Sequence, residues 1–190
     1  MTDHVQQFLD FVRRSPSAFH AAQAVADVLD AHGFTRLREH QPWTIVPGGK
    51  YNATRNRSSV VAFAVPACGL AHFQIVASHS DSPTFKVKEN PEKPSNAYVQ
   101  LSTEKYGGML MATWFDRPLS VAGRIIVSEG DKLKTKLVNV DRDLLVIPSV
   151  AIHMNRSAND GMKYSAAVHV YRNARNDEQV TVNIHELRFE

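Results

Sequence analysis

Residues 73–83 read Phe73-Gln74-Ile75-Val76-Ala77-Ser78-His79-Ser80-Asp81-Ser82-Pro83, an apolar run followed by a polar segment with a histidine and a carboxylate two residues apart. The apolar part is rich in β-forming residues and predicts a buried strand over Phe73–Ala77 that leads into a loop. Because side chains alternate along a strand, His79 and Asp81 would point the same way if the extended geometry continued. The carboxyl ends of strands hold the functional sites of α/β sheets, so this pair suits metal binding or proton transfer. The spacing alone also fits a plain polar loop, which is the simpler interpretation.

The composition indicates a soluble globular protein and argues against nucleic-acid or membrane partners. Of the 190 residues, 43% are hydrophobic and 22% are charged, and the formal net charge is +3. The densest basic stretches, Arg55–Arg57 and Lys132–Lys136, are not interleaved with aromatic residues, so no nucleic-acid partner is expected. No apolar stretch approaches the length of a membrane span, so no membrane partner is expected either.

Cysteine usage and the first residues favour a cytoplasmic location. Cys68 is the single cysteine, which excludes an internal disulfide and a thiolate zinc cluster within one chain. A lone cysteine agrees with a reducing compartment, and Cys68 has no activating partner near it in the sequence that would make it a catalytic thiol. Residues Met1–Val5 lack the basic and apolar regions of a secretory signal.

Apolar periodicity and turn residues predict two helices and a hairpin in the first part of the chain. The predicted elements are an amphipathic helix on the stripe Val5, Phe8, Leu9 and Val12, a second helix from the N-cap Ser17 to about His32 with Gly33 as C-cap, and paired strands over Lys50–Arg55 and Val60–Val65. Two helices that pack against a following sheet are typical of α/β material.

The second part of the chain has the pattern of a β-rich module. Turn residues cluster at 91–96 and predict a hinge, and short β-like runs follow it. The predicted strands are Ala97–Thr103, Ser120–Ser128, Lys134–Asn139, Leu144–Ile147, Val168–Arg172 and Gln179–Arg188, with a short helix starting in 148–154. We therefore predict an α/β fold with an α/β domain at residues 1–90 and a β-rich domain at residues 91–190.

Several motifs occur in a fixed order from about residue 5 to about residue 165. They are Ser15–His20, Gly48–Tyr51 with Arg55-Asn56, Ser78–Pro83, Thr113–Arg117 with Leu119–Arg124, and Ile147–His153 with Asn155-Arg156. Taken together and in this order, they resemble the M18 family of metalloaminopeptidases, whose best known members are aspartyl aminopeptidases.

The resemblance implies a zinc-peptidase-like α/β catalytic domain with an inserted β-rich domain that builds a homo-oligomer. It also implies a pair of metal ions, zinc or alternatively manganese or cobalt, that activate water to remove the N-terminal residue of a peptide substrate. By the same resemblance, His79 is a metal ligand and Asp81 orients its imidazole. His153 matches a histidine that helps to complete the active site of a neighbouring subunit.

The chain departs from the family in length and in metal ligands. Family members are more than twice as long, and their other ligands lie in the second half of the catalytic domain. Only His79 matches a family ligand, whereas a catalytic zinc needs about three protein ligands. Along a strand His185 and Glu186 would point to opposite faces and could not chelate one ion. The other donors without metal-binding spacing are Asp116, Asp141, Asp143, Asp160 and His169.

We therefore expect the N-terminal portion of an M18-like aminopeptidase, present as a fragment, a frameshifted product or a shortened paralogue. The alternatives are a catalytically inactive assembly or regulatory subunit, a decayed fragment, and a stand-alone β-rich binding module. Half of a catalytic domain exposes sheet edges and apolar faces, so we also expect self-association. Asp116-Arg117 is interpreted as a structural ion pair or hydrogen-bonding corner beside the core residues Trp114 and Phe115.

Overall fold

A computed structural model of the chain describes residues 2–69, 71–94, 98–161, 169–173 and 186–189. The chain divides into two compact units, Met1–Ser82 and Pro83–Glu190. The first unit holds two helices and a small sheet, and the second holds a larger sheet, so the fold is mixed α/β with small sheets. Neither described helix is long and apolar enough to cross a membrane. The assignment of residues 1–90 and 91–190 to a catalytic and an oligomerisation domain stays a prediction.

Helix α1 (Thr2–Arg13) and helix α2 (Ala18–Ala31) confirm the two predicted helices. Ser17 caps α2 as predicted, because its side chain accepts a hydrogen bond from the backbone N–H of His20. Gly33 lies one position after the C-cap residue and has a φ of +80°, the left-handed conformation that ends many helices. The apolar stripe of α1 is exposed and comprises Val5, Phe8, Leu9 and Val12.

A three-stranded sheet follows, with strands β1 (Thr35–Leu37), β2 (Lys50–Arg55) and β3 (Ser59–Ala64) in that order. Strands β2 and β3 form the predicted antiparallel hairpin, and the turn residues Asn56 and Arg57 have positive φ. Strand β1 pairs with β2 in parallel. The sequence does not predict β1, because three residues carry too little periodicity to be recognised.

Helix α2 contacts this sheet through small residues and through polar side chains. Ala22 and Ala26 are fully buried. Asn52 of β2 is also fully buried, and its amide donates a hydrogen bond of 2.9 Å to the carboxylate of Asp30 on α2. Arg36 of β1 forms an ion pair of 2.7 Å with the same carboxylate. Helix and sheet are therefore joined by a polar network as well as by close packing.

The buried strand predicted over Phe73–Ala77 is wrong. Residues 71–83 have no regular secondary structure, and Phe73, Ile75 and Val76 are 77%, 81% and 92% exposed. A strand needs a neighbour that completes its hydrogen bonds, and β-propensity cannot replace that neighbour. Among the described strands of the first unit, β3 pairs only with β2 and leaves its other edge without a strand.

The second unit is a sheet whose described strands lie in the spatial order β4-β5-β8-β7-β6-β9, with antiparallel neighbours throughout. The strands are β4 (Thr84–Pro94), β5 (Tyr98–Tyr106), β6 (Leu119–Glu129), β7 (Lys132–Val146), β8 (His169–Asn173) and β9 (Glu186–Phe189). Strands β6 and β7 form a long hairpin that turns at Gly130. The β-rich character predicted for this part of the chain is confirmed within the described residues.

Three predictions for this unit are corrected by the structure. Residues 91–94, predicted as a hinge, end strand β4, which tolerates its prolines because it lies at the edge of the sheet. Strand β7 runs through the charged residues Asp141–Asp143, predicted as a break, although its pairing with β6 shifts register there, between Val140 and Leu145. Residues 148–154, predicted to start a helix, are irregular and end in a turn. Val168 and residues 179–185 of the last predicted strands lie outside the described residues.

The core of the second unit is an apolar cluster contributed by β4, β6, β7 and a short 3₁₀ helix at Met111–Trp114. Phe85 is completely buried, and its ring meets the Trp114 ring edge to face with the centroids 5.3 Å apart. The buried members of the cluster are Phe85, Val87, Met111, Trp114, Leu119, Val121, Leu145 and Ile147. The core residues Trp114 and Ile147 lie close in sequence to Asp116 and Ser149, whose hydrogen bond is described below.

We expect Phe85→Ala to lower the free energy of unfolding by about 3–5 kcal/mol, because the substitution leaves a cavity against Trp114. Denaturant unfolding followed by tryptophan fluorescence measures the change. Leu133→Ala is the matched control, since Leu133 is 77% exposed at the end of the β6–β7 hairpin. The control should change stability by less than about 0.5 kcal/mol. An equal loss in both variants would contradict the burial of Phe85.

The exposed apolar segment Phe73–Ala77 of the first unit leads us to expect self-association of the chain. The double substitution Phe73→Ser with Ile75→Ser should lower the mass of the associated species in light scattering, because it removes two exposed apolar side chains. Gln74→Ser, in the same segment, is the polar control and should leave the mass unchanged. A monodisperse monomer for the unmodified chain is the result that speaks against this prediction.

Candidate functional site

His79 and Asp81 lie in the irregular segment of the first unit and contact each other. The Nδ1 atom of His79 is 2.7 Å from the backbone carbonyl oxygen of Asp81 and 3.3 Å from its carboxylate oxygen Oδ1. Because both neighbours are acceptors, we assign the ring proton to Nδ1, which leaves the lone pair of Nε2 to bind a ligand. The His79 side chain is 81% exposed.

This contact does not come from strand alternation, which was the reason to expect it. The loop itself brings the imidazole to the backbone carbonyl oxygen and one carboxylate oxygen of Asp81, two positions away. Ser80 lies between the pair, and its hydroxyl donates a hydrogen bond of 3.1 Å to the carbonyl oxygen of Ser58 in the β2–β3 turn. The loop is therefore tied to the hairpin at this point. A carboxylate at the second ring nitrogen fixes the orientation of an imidazole and raises its basicity as a metal ligand.

The described part of the chain does not assemble a complete metal site. In those ranges, no group of three or more His, Cys, Asp or Glu side chains is placed to hold an ion. A catalytic zinc requires about three protein ligands and an open position. The His79–Asp81 pair has the chemistry of one histidine ligand with its orienting acid, and it does not fit a whole zinc centre.

The other donors considered from the sequence lie in the second unit, except Cys68, which is exposed in a loop of the first. Their positions are Asp141 and Asp143 on β7, Asp160 in a 3₁₀ turn, His169 on β8 and Glu186 on β9. His185 lies outside the described residues.

His153 lies on an exposed loop of the second unit, after strand β7. The backbone N–H of Met154 donates to the carbonyl oxygen of Ala151 at 2.8 Å, and that of Asn155 donates to the same oxygen at 3.2 Å. These bonds close a tight turn around His153. The apolar side chains that flank it are exposed and are Val150, Ile152 and Met154.

Asp116 is joined to the start of this loop. Its carboxylate oxygen Oδ1 accepts a hydrogen bond of 2.7 Å from the backbone N–H of Ser149, and its own N–H donates to the carbonyl oxygen of Ile147 at 3.0 Å. Hydrogen bonds from the side chain and then the backbone of Ser149 hold the pKa of Asp116 below its ordinary value. The interpretation of Asp116 as a hydrogen-bonding corner is confirmed.

The lowered pKa sets the pH range in which this corner contributes stability. A carboxyl group whose pKa is lower in the folded state stabilises that state above its ordinary pKa, and the contribution is lost as the pH falls through the lowered value. The Asp116 carboxylate is therefore ionised at neutral pH and keeps its hydrogen bond from Ser149. The sequence does not reveal this bond, because Asp116 and Ser149 are 33 positions apart.

Comparison with known proteins gives a consistent match. A family model described as Aminopeptidase I zinc metalloprotease (M18) matches residues 11–183. A Probable M18 family aminopeptidase 2 of Clostridium novyi (strain NT) is 45% identical over 168 residues, which are 85% of this chain and 39% of that protein. An Aspartyl aminopeptidase of Dictyostelium discoideum is 46% identical over 172 residues, which are 87% of this chain and 35% of that protein. The chain thus spans well under half the length of these curated relatives.

Solved structures agree with the sequence comparison. The cryo-EM structure of the Ape4 and Nbr1 complex matches with a TM-score of 0.84 and 39% identity, over 93% of this chain and 35% of that chain. The structure of the S. cerevesiae mApe1 dodecamer matches with a TM-score of 0.72 and 26% identity, over 92% of this chain and 39% of that chain. The described fold is therefore part of the fold of these larger chains.

We expect the purified chain to bind zinc weakly and through His79. After dialysis against zinc, mass spectrometry of the metal content should find less than one tightly bound ion per chain, because the described donors do not complete a centre. His79→Ala should abolish the weak binding measured by titration calorimetry. His72→Ala, which removes another exposed histidine of the same segment, should leave it unchanged. A finding of two tightly bound ions would show that the chain holds further ligands.

Proposed function

Because the chain belongs to the M18 family of zinc metalloproteases, we propose that it supplies part of the active site of a zinc-dependent aminopeptidase. The proposed reaction is hydrolysis of the bond after the N-terminal residue, acidic or neutral, of a peptide substrate. The observation that carries the proposal is the His79–Asp81 contact, in which Nδ1 is engaged and Nε2 is left for a metal ion. This pair lies within the segment that the family model matches.

Each residue of the pair has a distinct proposed role. Zinc, or manganese or cobalt in its place, would supply a Lewis acid that activates water for attack on the peptide bond. His79 would hold one ion through Nε2. Asp81 would keep the imidazole in the correct tautomer and orientation and would increase its basicity. The carboxylate therefore acts through the histidine rather than on the substrate.

We propose that the remaining ligands belong to polypeptide beyond the part that this chain matches. The chain covers 39% and 40% of two curated relatives. The donors in its described ranges do not complete a zinc centre. A complete active site would thus require that further portion, either in one longer polypeptide or in a second chain.

The second unit is proposed to build a homo-oligomer. One solved relative is a dodecamer, and the His153 loop of this chain exposes three apolar side chains beside its histidine. Exposed apolar groups of this kind suit a contact with another protein surface. His153 is proposed to reach the active site of a neighbouring copy. We propose a cytoplasmic location, with no nucleic-acid or membrane partner, on the composition and the single cysteine.

A second candidate function is that of a catalytically inactive assembly or regulatory subunit. The incomplete donor set of the described residues favours it, because a chain without a full metal site could still enter the oligomer through its second unit. The two candidates differ in one respect that can be measured. Only the first requires His79 for turnover.

Co-expression with a complementary fragment tests the proposed function. The fragment is the portion of the Pseudomonas aeruginosa (strain LESB58) M18 relative, 43% identical over 163 residues, that begins where its match with this chain ends. The co-purified complex should hydrolyse aspartyl or leucyl chromogenic substrates in the presence of zinc or manganese. Asp81→Ala should reduce turnover by about 10–100-fold, and His79→Ala should reduce it at least as much.

The control is again His72→Ala, which should leave turnover unchanged. Equal activity of the His79→Ala and unmodified complexes would contradict the proposed ligand role. Robust turnover by the isolated chain would contradict the statement that its site is incomplete. A complex that forms with the correct stoichiometry but neither binds zinc nor turns over substrate would favour the inactive subunit.

A further inference from the structure

Two hydrogen bonds fix the point at which the chain leaves strand β7 towards His153. The Asp116 carboxylate accepts from the N–H of Ser149, and the Asp116 N–H donates to the carbonyl oxygen of Ile147. The bonds run in opposite directions between the same two segments, so they determine both the separation and the relative orientation of those segments. These two bonds therefore fix the position of the backbone at Ser149, where the His153 loop begins.

Both segments are anchored in the core of the second unit. Trp114, two residues before Asp116, is 5% exposed and contacts Phe85 edge to face. Ile147 is 2% exposed. Because these side chains hold the backbone on each side of the corner, loss of the Asp116 carboxylate would free the loop after Ile147 without opening the core.

Asp116 adopts a backbone conformation that residues other than glycine rarely use, with a φ of +56°. Asp and Asn tolerate this region better than most residues, because their short polar side chains can form hydrogen bonds there. Here the carboxylate bonds to Ser149, a residue distant in the sequence. Unfavourable backbone conformations persist where the surrounding structure enforces them, and they are common at functional positions.

The loop held in this way presents His153 in a defined place. Its base is fixed by Asp116, and its tip is closed by the backbone bonds from Met154 and Asn155 to Ala151. The imidazole and the apolar groups beside it are exposed rather than packed into their own unit. Such a loop suits a histidine that acts on a surface other than its own.

We infer that Asp116 is a positioning residue, which holds the His153 loop so that its imidazole meets a second copy of this chain in one orientation. The inference rests on the proposed function for the role of His153. The Asp116–Ser149 hydrogen bond and the His153 loop both lie within the second unit of one copy. Asp116 acts through Ser149 and does not contact substrate or metal.

Three substitutions separate the hydrogen bond from the backbone conformation. Asp116→Ala removes the acceptor at a positive φ, Asp116→Gly removes it and relieves the conformation, and Asp116→Asn keeps an oxygen acceptor and tolerates the conformation. We expect the Ser149 amide to exchange with deuterium about tenfold faster in the Ala and Gly variants. In the Asn variant the exchange rate should stay within about twofold of the unmodified chain, which amounts to rescue by the conservative substitution.

A matched control comes from another part of the same unit. The pKa of Glu129 is also lowered, by Lys134 and then Lys136, on the β6–β7 hairpin. Glu129→Ala removes another carboxylate, whose partners Lys134 and Lys136 lie on the same hairpin. It should leave exchange at Ser149 unchanged.

Imidazole NMR of His153 reports its position rather than stability. We expect its ring signals to shift and broaden in the Ala and Gly variants and to return in the Asn variant. A purely structural role would move the thermal unfolding midpoint and leave the His153 signals unchanged, which would overturn the inference. Equal Ser149 exchange in all variants would overturn it as well. If Asp116→Ala does not fold, the comparison of Gly with Asn decides the question.

These measurements use the whole 190-residue chain and require neither metal nor turnover. A failure of the proposed aminopeptidase function would therefore leave them interpretable. Conversely, unchanged His153 signals in an active complex would reject the role of Asp116 and leave the proposed function intact.

Discussion

Hydrogen bonding between neighbouring strands is the constraint on which the arrangement of this chain depends. The β6–β7 hairpin satisfies it locally, because both strands and their turn lie in one continuous segment. Phe73–Ala77 is also rich in β-forming residues but has no described strand beside it, and its side chains remain exposed. The same constraint explains why prolines are tolerated in β4, whose position at the sheet edge leaves backbone groups without a required partner. Partner strands, rather than propensity, therefore decide which apolar runs become strands.

Features that depend on nearby residues were predictable from the sequence, and features that depend on distant ones were not. Helix α2 was predicted with its capping residue Ser17, because the cap needs only the next turn of the helix. The bounds of β2 were also predicted, since its hairpin partner follows directly. Strand β1 depends on its pairing with β2 and was not predicted, and the apolar stripe of α1, expected to pack against the sheet, is exposed. The ordered motifs still identified the family, because they are spread over most of the chain and do not depend on any one predicted element.

The candidate site shows the same division between local and distant contacts. The contact between His79 and Asp81 could be expected from their spacing, although the loop rather than a strand creates it. The hydrogen bond from Ser149 to Asp116 could not be expected, because the two residues are 33 positions apart and no sequence pattern links them. The residues of a metal centre belong to this second class. The family motifs, taken in order along the chain, are what indicates a metal centre; the spacing of the His, Asp and Glu residues does not indicate one.

The tautomer and orientation of His79 suit a metal ligand, but they do not by themselves give a high affinity for zinc. A single exposed nitrogen competes with water for a zinc ion, and tight binding arises when about three ligands act on one ion in a site that excludes solvent. His79 is oriented by Asp81 and yet is 81% exposed, so the described residues around it provide neither the other ligands nor the exclusion of water. Under the proposed function, the polypeptide that supplies the missing ligands must also exclude water from this loop.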